Sequence, residues 1–145
     1  MADNTSSNNV NKDILVGKLG LEQYRNTNIY KKNGVFVISP SSQNSYGWFD
    51  VRKVNLDRYD SNRDKGHLIV RFQDKLLWAD LNDFITNTIS EERIVYTSSI
   101  GIHWKFNVIE HMGRYSAVNR TSKQSQELTL KDEKELSTML ELECR

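Results

Sequence analysis

The residues able to do chemistry are few and scattered. The three histidines are His67, His103 and His111. None stands four positions from another, and no His-Glu-x-x-His occurs, so no zinc-binding helix is encoded. The single cysteine, Cys144, lies in a charged C-terminal segment with no histidine near it in sequence. That is a poor setting for a thiolate nucleophile, and one cysteine cannot build a disulfide framework. Gly17-Lys-Leu-Gly20 lacks the reach and the lysine-hydroxyl pair of a phosphate loop. Gly-x-Gly-x-x-Gly and Gly-x-Ser-x-Gly are absent. Carboxylates are plentiful at Asp50, Asp57, Asp60, Asp64, Asp74, Asp80 and Asp83. A divalent-metal nuclease needs two converging carboxylates and commonly a lysine to position the attacking water. The nearest candidate is Trp48-Phe-Asp50-Val-Arg52-Lys53, where arginine occupies the place lysine would take. Arginine cannot give up a proton, so the pattern weighs against catalysis. No catalytic residue, metal ligand or cofactor is assigned, and the balance is against an enzyme.

The densest positive stretch is residues 52–75, with Arg52, Lys53, Arg58, Arg63, Lys65, Arg71 and Lys75 against Asp57, Asp60, Asp64 and Asp74. Ser41, Ser42, Gln43, Asn44, Ser45, Tyr46 and Trp48 precede it. Such a mixture suits nucleic acid. Cations neutralise phosphates, amides and hydroxyls read base edges, and an aromatic ring stacks on an unpaired base. The interleaved aspartates argue instead for a solvated surface of weak local ion pairs. His103, Lys105 and Asn107 share the polar side of an alternating strand, either a solvated face or a polar binding face.

These residues must be positioned by an α+β domain. Ile14, Leu15, Leu19 and Leu21 predict a helix within residues 12–25, capped by Asn11. Asn33-Gly34 between Ile29 and Ile38 predicts a hairpin. Trp48–Val54 alternates, with Phe49 and Val51 facing one way and Asp50, Arg52 and Val54 the other. His67–Phe72 and Lys75–Leu81 predict a second hairpin around Gln73-Asp74, followed by a short helix, Asp83–Ile89, capped by Asn82. Ile94–Ser98, His103–Ile109 and Tyr115–Asn119 read as strands. Thr129-Leu-Lys-Asp132 resembles a capping box, and Leu136, Met139 and Leu140 then mark one face of a C-terminal helix. The sum is a single domain with a mixed, largely antiparallel sheet of about seven strands and two or three helices. Residues 1–11 read as a flexible lead-in, 12–120 as the domain, and 121–145 as a linker and amphipathic helix. The chain's 145 residues carry 20 basic and 19 acidic side chains, a net +1, which excludes a polycation. The tail differs in sign, with a net −2 over residues 121–145. No apolar run spans a bilayer and no secretory leader opens the chain, so a cytoplasmic protein without a membrane partner is expected.

The run from Val35 to Leu81, VFVISPSSQNSYGWFDVRKVNLDRYDSNRDKGHLIVRFQDKLLWADL, resembles modules of bacterial restriction-endonuclease-type proteins. Its most specific part is Tyr46-Gly-Trp-Phe-Asp-Val-Arg-Lys53. The likeness covers about a third of the chain and lacks the acidic-x-Lys pair of the nuclease core. It implies DNA association without catalysis, in a restriction or defence setting. On that reading Arg52, Lys53, Arg58, Arg63 and Lys65 contact phosphates, and Gln43, Asn44 and Tyr46 lie near bases. The alternative is a protein–protein module, an inhibitor or adaptor, using the sheet face or anchoring a partner through Leu136, Met139 and Leu140 if that helix is not buried on its own domain. A small divalent-metal nuclease using Asp50 is a third reading.

Overall fold

The computed structural model describes residues 11–42, 47–89, 95–97 and 101–143. Four helical segments and eleven strands make up a mixed α+β fold among the described residues. The helices are α1 (Asp13–Lys18), α2 (Lys53–Leu56), α3 (Leu81–Thr88) and α4 (Glu133–Glu143). The strands are β1 (Glu22–Gln23), β2 (Ile29–Lys32), β3 (Val35–Ile38), β4 (Ser41–Ser42), β5 (Trp48–Arg52), β6 (Lys65–Phe72), β7 (Lys75–Asp80), β8 (Val95–Thr97), β9 (Gly101–His111), β10 (Arg114–Asn119) and β11 (Ser125–Leu130). They form one sheet in the order β1-β2-β3-β6-β7-β11-β10-β9-β5, with β4 alongside β6 and β8 alongside β9. Pairing is antiparallel except for β3 and β4 against β6. The mixed, largely antiparallel sheet is as expected; the strand number is not.

The additional strands include the short β1 and β4 and, with more consequence, β11. Residues 121–145 were expected to be a linker followed by a helix. Instead β11 lies between β10 and β7, with Thr129 opposite Trp78 and Leu130 opposite Leu77. It joins two wings of the sheet, β1-β2-β3-β6-β7 and β10-β9-β5.

The wings fold over one another around a single core. Ile29, Phe36, Ile38, Leu68 and Val70 from the first meet Phe49, Val51, Trp104, Phe106 and Val108 from the second. Phe84 of α3 fills the space between, its ring 4.8 Å from Phe106. Phe72 and Tyr115, one from each wing, sit edge to face at 6.3 Å. The alternation read along β5 and β9 produces this: Phe49 and Val51, and Trp104, Phe106 and Val108, all point inward. The opposite face of the first wing is covered by α1 and α4. There Tyr30, Val35, Val37, Ile69 and Leu76 pack against Ile14, Leu15, Leu19, Leu21, Leu136 and Leu140. Each such fully buried side chain contributes on the order of 2 kcal/mol.

Local chemistry sets the boundaries. Gly34, at φ +83°, makes the β2–β3 turn that Asn33-Gly34 predicted. The N-terminal helix is shorter than expected. Leu19 N donates to the Ile14 oxygen five residues back, a widened turn, and Gly20 at φ +72° ends it. Asn11 is no cap; its Nδ2 reaches the Ser39 carbonyl and hydroxyl at 3.2 and 2.9 Å. The cap of α3 is Asp80, which accepts from the Asp83 N–H at 3.0 Å, rather than Asn82. The capping box of α4 is Asp132 with Glu135, three residues later in register than Thr129 with Asp132.

Candidate functional site

Among the described residues β5 ends the strand order of the second wing, and on that wing's outer face Trp48, Arg52, Lys105 and Ile109 are exposed. Burying Phe49 and Val51 turns Trp48, Asp50 and Arg52 outward, and burying Trp104, Phe106 and Val108 does the same for Lys105, Asn107 and Ile109. Register then sets Trp48 opposite Asn107 and Asp50 opposite Lys105. On the far side of β9, Val118 stands opposite Asn107. The Arg120 N–H donates to the Lys105 carbonyl at 2.8 Å, which brings the Arg120 side chain beside this row. Its guanidinium lies 5.0 Å from the centre of the Trp48 ring. Trp48 is 48% exposed, whereas Trp104 is buried and Trp78 is partly buried. An exposed indole under a guanidinium, with Lys105 lining the same recess, gathers two cations round one aromatic platform, and Arg52 stands ~13 Å further along β5.

Two connected recesses flank β5. One, of about 450 Å³, is lined by Ser41, Trp48, Phe49, Asp50, Lys105, Phe106 and Arg120. The other, of about 690 Å³, lies against β5 and shares Ser41, Phe49 and Asp50 with the first. Its wall is rich in side-chain amides and hydroxyls, including Asn11, Gln23, Asn28, Ser39 and Asn55. The Asn11 Oδ1 and the Ser41 hydroxyl oxygen are buried without a hydrogen-bond partner. Among the described residues Asp50 is the only carboxylate lining either recess.

Of the expected phosphate contacts, only Arg52 belongs to this surface. Lys53 is held by Asp57 at 2.9 Å and Lys65 by Asp80 at 3.1 Å. Arg58 donates to the Tyr24 hydroxyl at 2.7 Å and lies over its ring. Arg63 sits by the β2–β3 turn in a recess with Glu22, Lys31 and Lys32 that shares nothing with the β5 surface. Density of charge along the chain is thus not density in space. Gln43, Asn44 and Tyr46 lie outside the described residues, as do residues 1–10 and Cys144. Lys105 and Arg120 were missed as cations, although the alternation of β9 already placed Lys105 and Asn107 on a polar face. His103 shares that parity but is fully buried, its Nδ1 2.9 Å from the Gly101 carbonyl oxygen.

The helical anchor is corrected outright. Leu136 and Leu140 are 0% and 2% exposed, and Met139 packs against the same cluster. The apolar face of α4 is spent on its own sheet and is closed to a partner. Among the described residues no three His, Cys, Asp or Glu side chains come together as a metal site. No helix among them is long and apolar enough to cross a membrane.

Burial and pairing shift a few ionisations near this frame. Burial raises the Tyr59 hydroxyl above its ordinary value. Burial also pushes the Asp80 carboxyl up, but the Asp83 N–H and Lys65 outweigh it and hold the group below the usual carboxylate value.

No protein-family model, curated protein or solved structure matches this chain.

Proposed function

We propose that the chain is a non-catalytic nucleic-acid-binding module that takes a single-stranded segment across the outer face beside β5. The observation carrying this reading is the exposed Trp48 with Arg120 and Lys105 beside it and Arg52 further along the same strand. Stacking needs an accessible π-face, and each stacked base is worth about 1–3 kcal/mol. Cations at the rim of an aromatic platform then take the phosphates, which fix register without reading sequence. A duplex offers no unstacked base, so single strands are preferred. The resemblance of residues 35–81 to restriction-endonuclease-type modules favours DNA and a defence setting.

The test is binding of labelled single-stranded and duplex DNA at two salt concentrations. Three phosphate contacts on a single strand give a log-log salt slope of about −2, so affinity falls roughly 20-fold between ~50 and ~200 mM salt. Replacing Lys105 and Arg120 together by glutamine reduces the slope to about −0.7. Equal affinity for duplex and single strand, or a slope untouched by that double change, removes the reading. The protein–protein alternative then remains, through the sheet face alone.

A further inference from the structure

The β9–β10 hairpin carries an apolar side chain where the fold has no use for one. His111 stands opposite Arg114, so Met112 and Gly113 make the turn between them, at φ +53° and +79°. A two-residue turn with both residues left-handed suits Asn-Gly or Asp-Gly, because a Cβ crowds the backbone there and a short polar side chain offsets this with a local hydrogen bond. The other non-glycine residues in that region, among the described residues, are Arg25, Gln73 and Lys123, so Met112 is the one apolar side chain held there. Met112 is also 89% exposed, against 52% for Leu130, the next most exposed large apolar residue among those described. A methionine so placed packs on almost nothing in its own domain and occupies a conformation that disfavours it. Its use lies beyond the domain.

The hairpin grows out of the strand that carries the platform. Trp48 stands opposite Asn107, so Ile109 is its diagonal neighbour on the same outer face, a spacing of about 7–8 Å. Ile109 is itself 43% exposed. From Trp48 the exposed apolar surface therefore continues through Ile109 towards Met112 at the tip, while Lys105 lies on the other side of Asn107. Charge along the hairpin is balanced, with Arg114 held by Glu127 at 3.4 Å, so this stretch offers contact area rather than a phosphate contact. We infer that the hairpin extends the base seat: Ile109 takes the base next to the one on Trp48, and Met112 closes the seat at the tip. The inference rests on the single-strand reading above and adds the length of the seat and the path of the strand. Methionine suits that role, because its unbranched, polarisable side chain adapts to the ring laid against it.

The experiment titrates the full chain with thymidine homo-oligonucleotides of increasing length, following Trp48 by intrinsic fluorescence and binding by anisotropy. Ile109→Thr keeps a β-branched residue in the strand, and Met112→Asn suits the left-handed turn. The Tm of Ile109→Thr is expected to stay close to that of the unaltered chain, and that of Met112→Asn to equal or exceed it. The shortest strand that quenches Trp48 is expected to bind all three proteins alike. Strands ~4 nucleotides longer are expected to bind each variant roughly threefold more weakly or worse, with the salt slope unchanged. Equal affinity of the longer strands for all three proteins overturns the extended seat while leaving the platform intact, and turns the search for the Met112 contact to a protein partner. A reduced salt slope, or a Tm lowered by several degrees in Met112→Asn, also overturns it, since the residue then acts through a phosphate contact or through packing. If no strand quenches Trp48, the platform reading falls and the extended seat falls with it.

Discussion

Leu136→Ala measures whether α4 belongs to the domain or is free to dock elsewhere. Leu136 is fully buried in the cluster that holds Leu15, Leu19, Val37 and Ile69. The helix carrying it is fixed at its start by the reciprocal Asp132–Glu135 capping pair and by Lys18–Glu133 at 3.1 Å. The exposed ion pair contributes little, so the anchorage is the apolar face. Truncating a fully buried leucine removes its transfer free energy and leaves a cavity, together about 2–5 kcal/mol. For a chain of this length ~3 kcal/mol lowers Tm by roughly 10 °C. Urea unfolding followed by circular dichroism gives the free energy directly, with Thr138→Ala as an exposed control on the same helix. A loss below about 0.5 kcal/mol for Leu136→Ala, the level of ordinary surface changes, would refute the burial and reopen α4 as a partner anchor.

Three further outcomes follow from the packing and the charges. Gly66→Ala destabilises by about 1–3 kcal/mol in the same unfolding assay, because a Cβ there falls 2.6 Å from the Tyr59 ring, which covers β6. Asp80→Ala removes both the cap of α3 and the Lys65 partner, costing about 1–2 kcal/mol near neutral pH. Since the Asp80 carboxyl is held below its ordinary value, its contribution is present above the unfolded pKa and is lost as pH falls through the folded one. The gap between wild type and variant therefore closes in acid, and a gap constant with pH contradicts the assignment. Replacing Arg63 and Lys65 together by alanine leaves DNA affinity and its salt slope unchanged in an anisotropy titration, since neither residue lines the β5 surface; a reduced slope moves the site to the other side of the sheet.

Much of the frame is legible in the residues because it is set locally. Asn33-Gly34 fixes a turn by its own backbone preference, and Phe49/Val51 and Trp104/Phe106/Val108 fix which side of two strands faces inward. The same alternation turns Trp48 and Lys105 outward, so half of the platform can be read before any fold is known. β11 cannot be read this way. Only Leu128 of its six residues is buried, and its place depends on backbone pairing with β10 and β7, which leaves no local pattern. The charge shift at residue 121 therefore looked like a boundary where the chain in fact enters the middle of the sheet. Arg120 and Asn11 were hidden for a related reason. Arg120 reaches Trp48 only through the pairing of β9 with β10, and Asn11 meets Ser39 across 28 positions of chain. The basic run at residues 52–75 misled because Lys53, Arg58 and Lys65 each find a partner within the domain.

Intrinsic fluorescence reads directly whether an unpaired base stacks on Trp48. Trp48 is the most exposed of the three tryptophans, so its emission responds first to a base laid on the ring. Saturable quenching by single-stranded DNA at ~50 mM salt is expected, with an apparent affinity roughly 20-fold weaker at ~200 mM and loss of the quench in Trp48→Leu. Unchanged emission at the lower salt, or equal quenching in the Trp48→Leu variant, would contradict it.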